Sequence, residues 1–335
     1  MLSLCCISAK DACALPGRGH KTPNQWENIL QKSSNIGGQA VMEGIMMRNG
    51  DRYSVAVRKP DGMIEVKEEP YRSICPVKGI YNIPILRGAV AFIDSLVVGT
   101  SSLMWSAEFA AEDEEENEEP RDEAKEAREW KIAMTLTVIF SVCFSVGLFM
   151  ILPYALASVL RRVGMGEVLV SLAEAFLRMA IFALYMFLIS RMKDIQRVFA
   201  YHGAEHKCIN CIENGWDLTV ENVMKASRRH KRCGTSFLLI VVVISVICFL
   251  FVGFLGLRSP LQRLLSRIIL IPVIAGISFE FLRLAGSSDN PVVCSLAKPG
   301  LALQGLVTRE PDEKMVEVAI CAVEKVFDWR KWQGK

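Results

Sequence analysis

Four apolar runs, at 132–152, 168–190, 237–257 and 264–284, constrain the fold more than any other feature. Each is close to the ~20 residues a helix needs to cross the hydrocarbon of a bilayer. The chain is 51% apolar, with a mean hydropathy of +0.29, and the excess is concentrated in these runs. Such clustering points to bilayer spans rather than to one large soluble core. The net charge of +3, with no Lys/Arg stripe interleaved with aromatics, gives no reason to expect a nucleic-acid partner.

Sidedness follows from the basic residues. The link between the second and third runs carries Arg191, Lys193, Arg197, Lys207, Lys225, Arg228, Arg229, Lys231 and Arg232. The opposite links offer Arg161 with Arg162, and Arg258 with Arg263. Positive residues stay inside, so the long link and both termini are expected in the cytoplasm. Charges within the runs need partners in lipid. Glu174 and Arg178, four residues apart, share one helix face, and a pair locking helices together is the expectation for them. Glu280 stands without an obvious partner, and a proton or solute path lined by these groups is the alternative.

The rest of the chain divides by composition. Residues 1–32 read as an unstructured extension, and Met1 to Ala14 lack the charged segment and apolar core of a signal peptide. Residues 33–78 form a Gly-rich and β-hairpin unit: Tyr53 to Val57 alternates, Pro60-Asp61-Gly62 turns, and Met63 to Val66 resumes. Residues 79–106 carry Ile80, Ile83, Leu86, Val90, Ile93 and Val97 at helical spacing, interrupted by Pro84, Arg87 and Asp94. A re-entrant or interfacial helix is expected there; a full crossing would need an Arg87–Asp94 pair. Residues 107–131 are an acidic linker, 132–286 the transmembrane bundle with a cytoplasmic His/Cys loop at 191–236, and 287–335 a C-terminal tail. Its helix shows an apolar stripe of Val316, Ala319, Ile320, Val323 and Phe327. The fold class expected is mainly α: a polytopic bundle of about four transmembrane helices plus one re-entrant or interfacial helix, with a small N-terminal cytoplasmic β unit.

Chemistry is concentrated at 201–237. Three of the four histidines, His202, His206 and His230, lie there with Cys208, Cys211 and Cys233. In His202-Gly-Ala-Glu205-His206 the histidines stand one helical turn apart, so both imidazoles can reach one divalent ion. Glu205 beside them has the chemistry of a general base toward metal-activated water. His230 or Cys233 would supply the third ligand that a catalytic zinc requires. Local hydrogen bonding by the histidines is the competing expectation. Cys208 and Cys211 form a Cys-x-x-Cys that would suit a structural zinc. The 11 cysteines are odd in number and irregularly spaced, unlike a secreted disulfide framework.

Four ordered motifs resemble the YqhQ-type family. They are Gly-Gly-Gln-Ala-Val-Met-Glu-Gly at 37–44, Tyr-His-Gly-Ala-Glu-His at 201–206, Arg-Cys-Gly-Thr-Ser-Phe at 232–237, and Pro-Gly-Leu-Ala-Leu-Gln at 299–304 with Thr-Arg-Glu-Pro at 308–311. The resemblance runs from about residue 33 to the end. It implies a bacterial multi-pass membrane protein of a family described as predicted metal-dependent enzymes. The positions it carries over are Glu43, His202, Glu205, His206, His230 and Cys233. Lys231 stands where that family typically shows proline, and the Cys208/Cys211 pair departs from its pattern. The expectation is a divalent metal, zinc first, in a metal-dependent hydrolase acting on a membrane-associated substrate. A non-enzymatic adaptor with a structural metal, or a small-solute transporter, are the alternatives. Partners expected are membrane lipids and a cytoplasmic protein recruited through the acidic linker or the C-terminal helix.

Overall fold

The computed structural model describes residues 33–111, 123–230, 233–254, 259–287 and 290–335. The extension 1–32 and part of the acidic linker (112–122) lie outside them. The architecture is mainly helical with one small N-terminal sheet. Four antiparallel strands, β1 Gly37–Val41, β2 Gly44–Asn49, β3 Arg52–Arg58 and β4 Ile64–Pro70, pair in sequence order. The helices are α1 Leu86–Ala111, α2 Glu123–Val146, α3 Leu152–Arg162, α4 Glu167–Ile189, α5 Lys193–Glu213 and α6 Val220–Lys225. They continue with α7 Gly234–Phe254, α8 Pro260–Ser287, α9 Pro291–Val307, α10 Glu313–Val326 and α11 Trp329–Gln333. Two compact units emerge, one of residues 1–110, 190–241 and 275–335, the other of 111–189 and 242–274.

In the first unit the sheet is covered on both faces, because alternate residues of each strand point to opposite sides. Ile45, Met47 and Ala56 pack with α5 and α10 through Ala204, Cys208, Val316, Ala319 and Val323. Val41, Met46, Tyr53, Val55 and Val57 pack beneath Val98, Trp105 and Phe109 of α1. The short residues of β3, Ser54 and Ala56, face α10 and let it approach; Ser54 Oγ donates to Ala322 O at 2.6 Å. Asp312 caps α10 by accepting from Met315 N at 2.8 Å, and the expected apolar stripe is its packed face.

The 79–106 region is helical as expected, with other bounds and partners than the sequence implied. Pro84 precedes the helix and breaks nothing, so α1 runs unbroken to Ala111, past the expected start of the linker. Arg87 pairs with Glu280 of α8 at 2.5 Å, not with Asp94. Asp94 instead accepts from Ser73 Oγ at 2.6 Å and Ile74 N at 2.9 Å. The 191–236 segment, expected as a loop, is largely helical, with α5 and α6 built into the first unit's core. A further helix, α9, follows Pro291, which sits in its first turn behind the capping Asn290; the tail is therefore two substantial helices rather than one.

In the second unit α2 passes through a wide turn at Gly147–Ile151 into α3, with Pro153 in the first turn of α3. Glu174 and Arg178 pair at 2.9 Å as their spacing implies, and Arg267 joins Glu174 at 2.7 Å. By length and composition, the helical stretches Leu86–Phe109, Ile132–Arg162, Glu167–Ile189 and Leu265–Ala285 could cross a membrane. Three of them match expected runs. The remaining run, 237–257, corresponds to α7 and extends beyond the described residues at 255. Leu136, Ile139, Phe140 and Phe144 of α2 are exposed apolar groups, as a lipid-facing surface requires.

Candidate metal centre

The helix α5 is the frame of the site. His202, Glu205 and His206 fall within one turn of it, and the two imidazole centroids are 4.4 Å apart. One face of the same helix fastens the chain that follows it. Lys207 is buried and directs its ammonium to Met224 O (2.9 Å), Ala226 O (3.0 Å) and the Glu310 carboxylate (2.9 Å), using all three of its donors. Asn210 Nδ2 donates to Ser227 O at 2.6 Å and Arg229 O at 2.9 Å. Gln304 of α9, fully buried, then grips the His230 backbone from both sides: Oε1 accepts from its N–H at 3.0 Å and Nε2 donates to its carbonyl at 2.8 Å. These bonds set the path of 224–230 and bring Cys233 back over α5.

A second strap crosses α5 at Gly203. Arg309 N donates to Phe199 O at 2.9 Å, and a Cβ on residue 203 would collide with the Arg309 carbonyl. Only glycine admits the strap this closely. The strap delivers Val307 O to His202.

The ligand geometry follows from these two straps. His202 Nδ1 is 2.9 Å from Val307 O, and His206 Nδ1 is 2.7 Å from Arg228 O. A ring nitrogen facing a carbonyl must carry the proton, so each Nε2 is left with its lone pair, the tautomer a metal needs. His202 Nε2 lies 3.3 Å from Cys233 Sγ, and one ligand atom from each of His202, His206 and Cys233 falls within 4.8 Å of the others. Ligands at the usual Zn–N and Zn–S distances on one tetrahedral zinc stand about 3.5 Å apart, so the observed spacing suits a shared ion. His206 and Cys233 are almost fully buried, and His202 is nearly so.

Glu205 is not one of the three. Its Oε2 is 3.9 Å from His202 Nε2, short enough to share a water with the centre. Its Oε1 accepts from Gly38 N at 3.0 Å, which ties the 37–44 motif to the site. His230 stands beside the group, its ring 5.8 Å from that of His206 and its Nε2 3.4 Å from Glu213. Glu43 is engaged elsewhere. In the β1–β2 turn, with a positive φ of 49°, it forms an ion pair with Arg197 and accepts from Tyr201 OH at 3.3 Å. That hydrogen-bonded pair raises the Arg197 pKa, and burial raises that of the Tyr201 phenol. Cys208 and Cys211 belong to the core. Burial pushes both thiols up, Cys211 to about 12, and Cys211 Sγ donates to Asp217 O. Among the described residues neither thiol joins two further ligands in a metal-capable group.

Lys207, Asn210 and Gln304 were not singled out from sequence. Lys207 and Asn210 share the helix face of Gly203, at three- and four-residue steps, and that periodicity was the available signal. Gln304 lay inside a motif with no chemistry of its own.

Residues 83–329 match the family described as "Protein of unknown function (DUF1385)". The chain is 38% identical over 288 residues to "Uncharacterized protein YqhQ" of Bacillus subtilis (strain 168), covering 85% of this chain and 89% of that one. No solved structure matches. With most of its length aligned to both, the chain belongs to the DUF1385 family, of which YqhQ is a relative.

Proposed function

We propose that this is a membrane-embedded, metal-dependent hydrolase whose centre is formed by His202, His206 and Cys233, with Glu205 as general base. The observation that carries the reading is the pair of Nδ1–carbonyl bonds, which suits both imidazoles to the metal-binding tautomer beside the Cys233 sulfur. A divalent ion, zinc by the softness of the donors, would be held by the two imidazoles and the Cys233 sulfur and would supply Lewis acidity. Glu205 would take the proton from an attacking water, with the Gly38 N–H holding its carboxylate in place. The enclosure by the 307–311 strap and the 224–230 segment keeps bulk water out.

The substrate is membrane-associated in this reading, because the centre shares its unit with α1, a helix long and apolar enough to cross a membrane. The distribution of Lys and Arg supports a reading in which the centre and both termini face the cytoplasm of a bacterial cell. Lipids are its immediate partners, with a cytoplasmic protein recruited through the acidic linker or the C-terminal helices. One observation favours a second reading: His206 and Cys233 are so thoroughly buried that a metal there would also serve to brace an adaptor.

Glu205→Gln separates the two. Protein reconstituted in liposomes should cleave a member of a lipid and peptide panel, scored by mass spectrometry. Its turnover should fall by about 100-fold or more in the variant while metal content stays at the wild-type level. Loss of metal and activity together, or unchanged turnover, contradicts the assignment to Glu205.

A further inference from the structure

The second unit holds a buried charge cluster that the metal centre does not use. Glu174 and Arg178 of α4 and Arg267 of α8 are each more than nine-tenths buried among apolar helices. Glu174 divides its two oxygens between the arginines: Oε1 accepts from Arg178 Nη2 at 2.9 Å and Oε2 from Arg267 Nη2 at 2.7 Å. Two guanidiniums therefore share one carboxylate, leaving one positive charge in excess. Burying an unbalanced charge costs several kcal/mol, more in lipid than in a soluble core.

Arg178 is otherwise fully engaged. Its Nη1 lies 3.3 Å from Ser245 Oγ, and its Nε donates to Phe149 O at 3.0 Å. That carbonyl is free for a covalent reason. It lies four residues before Pro153, which has no N–H to give it, and the wide turn at Gly147–Ile151 accommodates the break. Arg267 is different. Its Nη1 is buried and, among the described residues, has no hydrogen-bond partner. Its guanidinium carbon stands 4.5 Å from the centroid of the Tyr154 ring and 5.2 Å from that of Phe249. Aromatic faces offset part of the charge but accept no hydrogen bond at the vacant Nη1.

We propose that the Arg267–Glu174–Arg178 cluster is a binding site for one phosphate-class oxyanion, seated on Arg267 Nη1 within the apolar helices. An oxyanion supplies the missing acceptor and cancels the excess charge at the same time. The planar guanidinium fork matches phosphate oxygens better than it matches a spherical ion. The carboxylate of Glu174 positions both arginines and also repels the anion, so its charge limits affinity. Free phosphate and a phospholipid headgroup offer the same chemistry to this fork.

The test uses full-length protein in nanodiscs of zwitterionic lipid, titrated with inorganic phosphate, alongside native mass spectrometry of protein purified from its own membrane. Wild type should bind one phosphate saturably, or retain one anionic phospholipid that soluble phosphate does not displace. The first result identifies a free ion, the second a headgroup. Arg267→Met should weaken whichever form binds by about tenfold or more, and the near-isosteric Glu174→Gln should tighten it by a similar factor. These opposite responses distinguish this site from any phosphate held at the metal centre. Should Arg267→Met fail to fold, the Glu174→Gln result decides. Absence of both ligands, or binding that ignores Glu174→Gln, overturns the proposal.

Discussion

His206→Ala is expected to purify with almost no metal, and the wild-type protein with about one equivalent of zinc per chain. Removing even a hydrogen-bonding partner of a metal ligand typically costs 10–100-fold in affinity, so losing a ligand from a three-residue set should cost more than about 100-fold. The side chain is also almost fully buried, within the turn that carries Glu205 and between the rings of His202 and His230. Elemental analysis of wild type beside the variant reads the effect directly. The same measurement on His230→Ala should show metal largely retained, because the His230 imidazole faces Glu213 rather than the Cys233 thiol. Equal loss in both would mean that His230 is a ligand, and that the Gln304 and Glu213 contacts do not define its place.

Gly203→Ala will destabilise the first unit by about 2 kcal/mol or more, against the usual sign of the substitution. In the middle of a helix, alanine ordinarily stabilises by about 0.5–1 kcal/mol relative to glycine. Here the added Cβ would collide with the Arg309 carbonyl, a backbone atom that cannot swing aside. Overpacking of this kind costs about 1–3 kcal/mol, and the strap must move for the methyl to fit. Moving it takes Val307 O away from His202 Nδ1, so metal affinity should drop as well, by about 10–100-fold. Denaturant unfolding and metal titration together check both effects. A variant as stable as wild type with unchanged metal affinity would show that the strap does not position His202.

Much of the site was legible because it lies on one helix. The 3.6-residue period puts His202, Glu205 and His206 on one turn whatever the tertiary context, and the same period pairs Glu174 with Arg178. The third ligand could not be chosen between His230 and Cys233 in the same way. Their positions depend on side chains of α5 and α9 holding backbone carbonyls some 17 to 74 residues away, and no local pattern encodes that. Glu43 lay in a glycine-flanked motif; Gly38 and Gly44 serve close strand pairing there, and the carboxylate pairs with Arg197. Charges in the apolar helices were recognised as needing partners. Those partners, Glu280 for Arg87 and Arg267 for Glu174, come from α8, far along the chain. The α9 helix was hidden by Ser287-Ser288-Asp289-Asn290-Pro291, turn chemistry that is equally good as a helix start.

X-ray absorption at the zinc edge of the purified, metal-loaded protein tests the centre most directly. One sulfur at about 2.3 Å and nitrogens at about 2.0 Å are expected, with the sulfur shell vanishing in Cys233→Ser. A spectrum without sulfur, or one that Cys233→Ser leaves unchanged, would contradict a metal held by His202, His206 and Cys233.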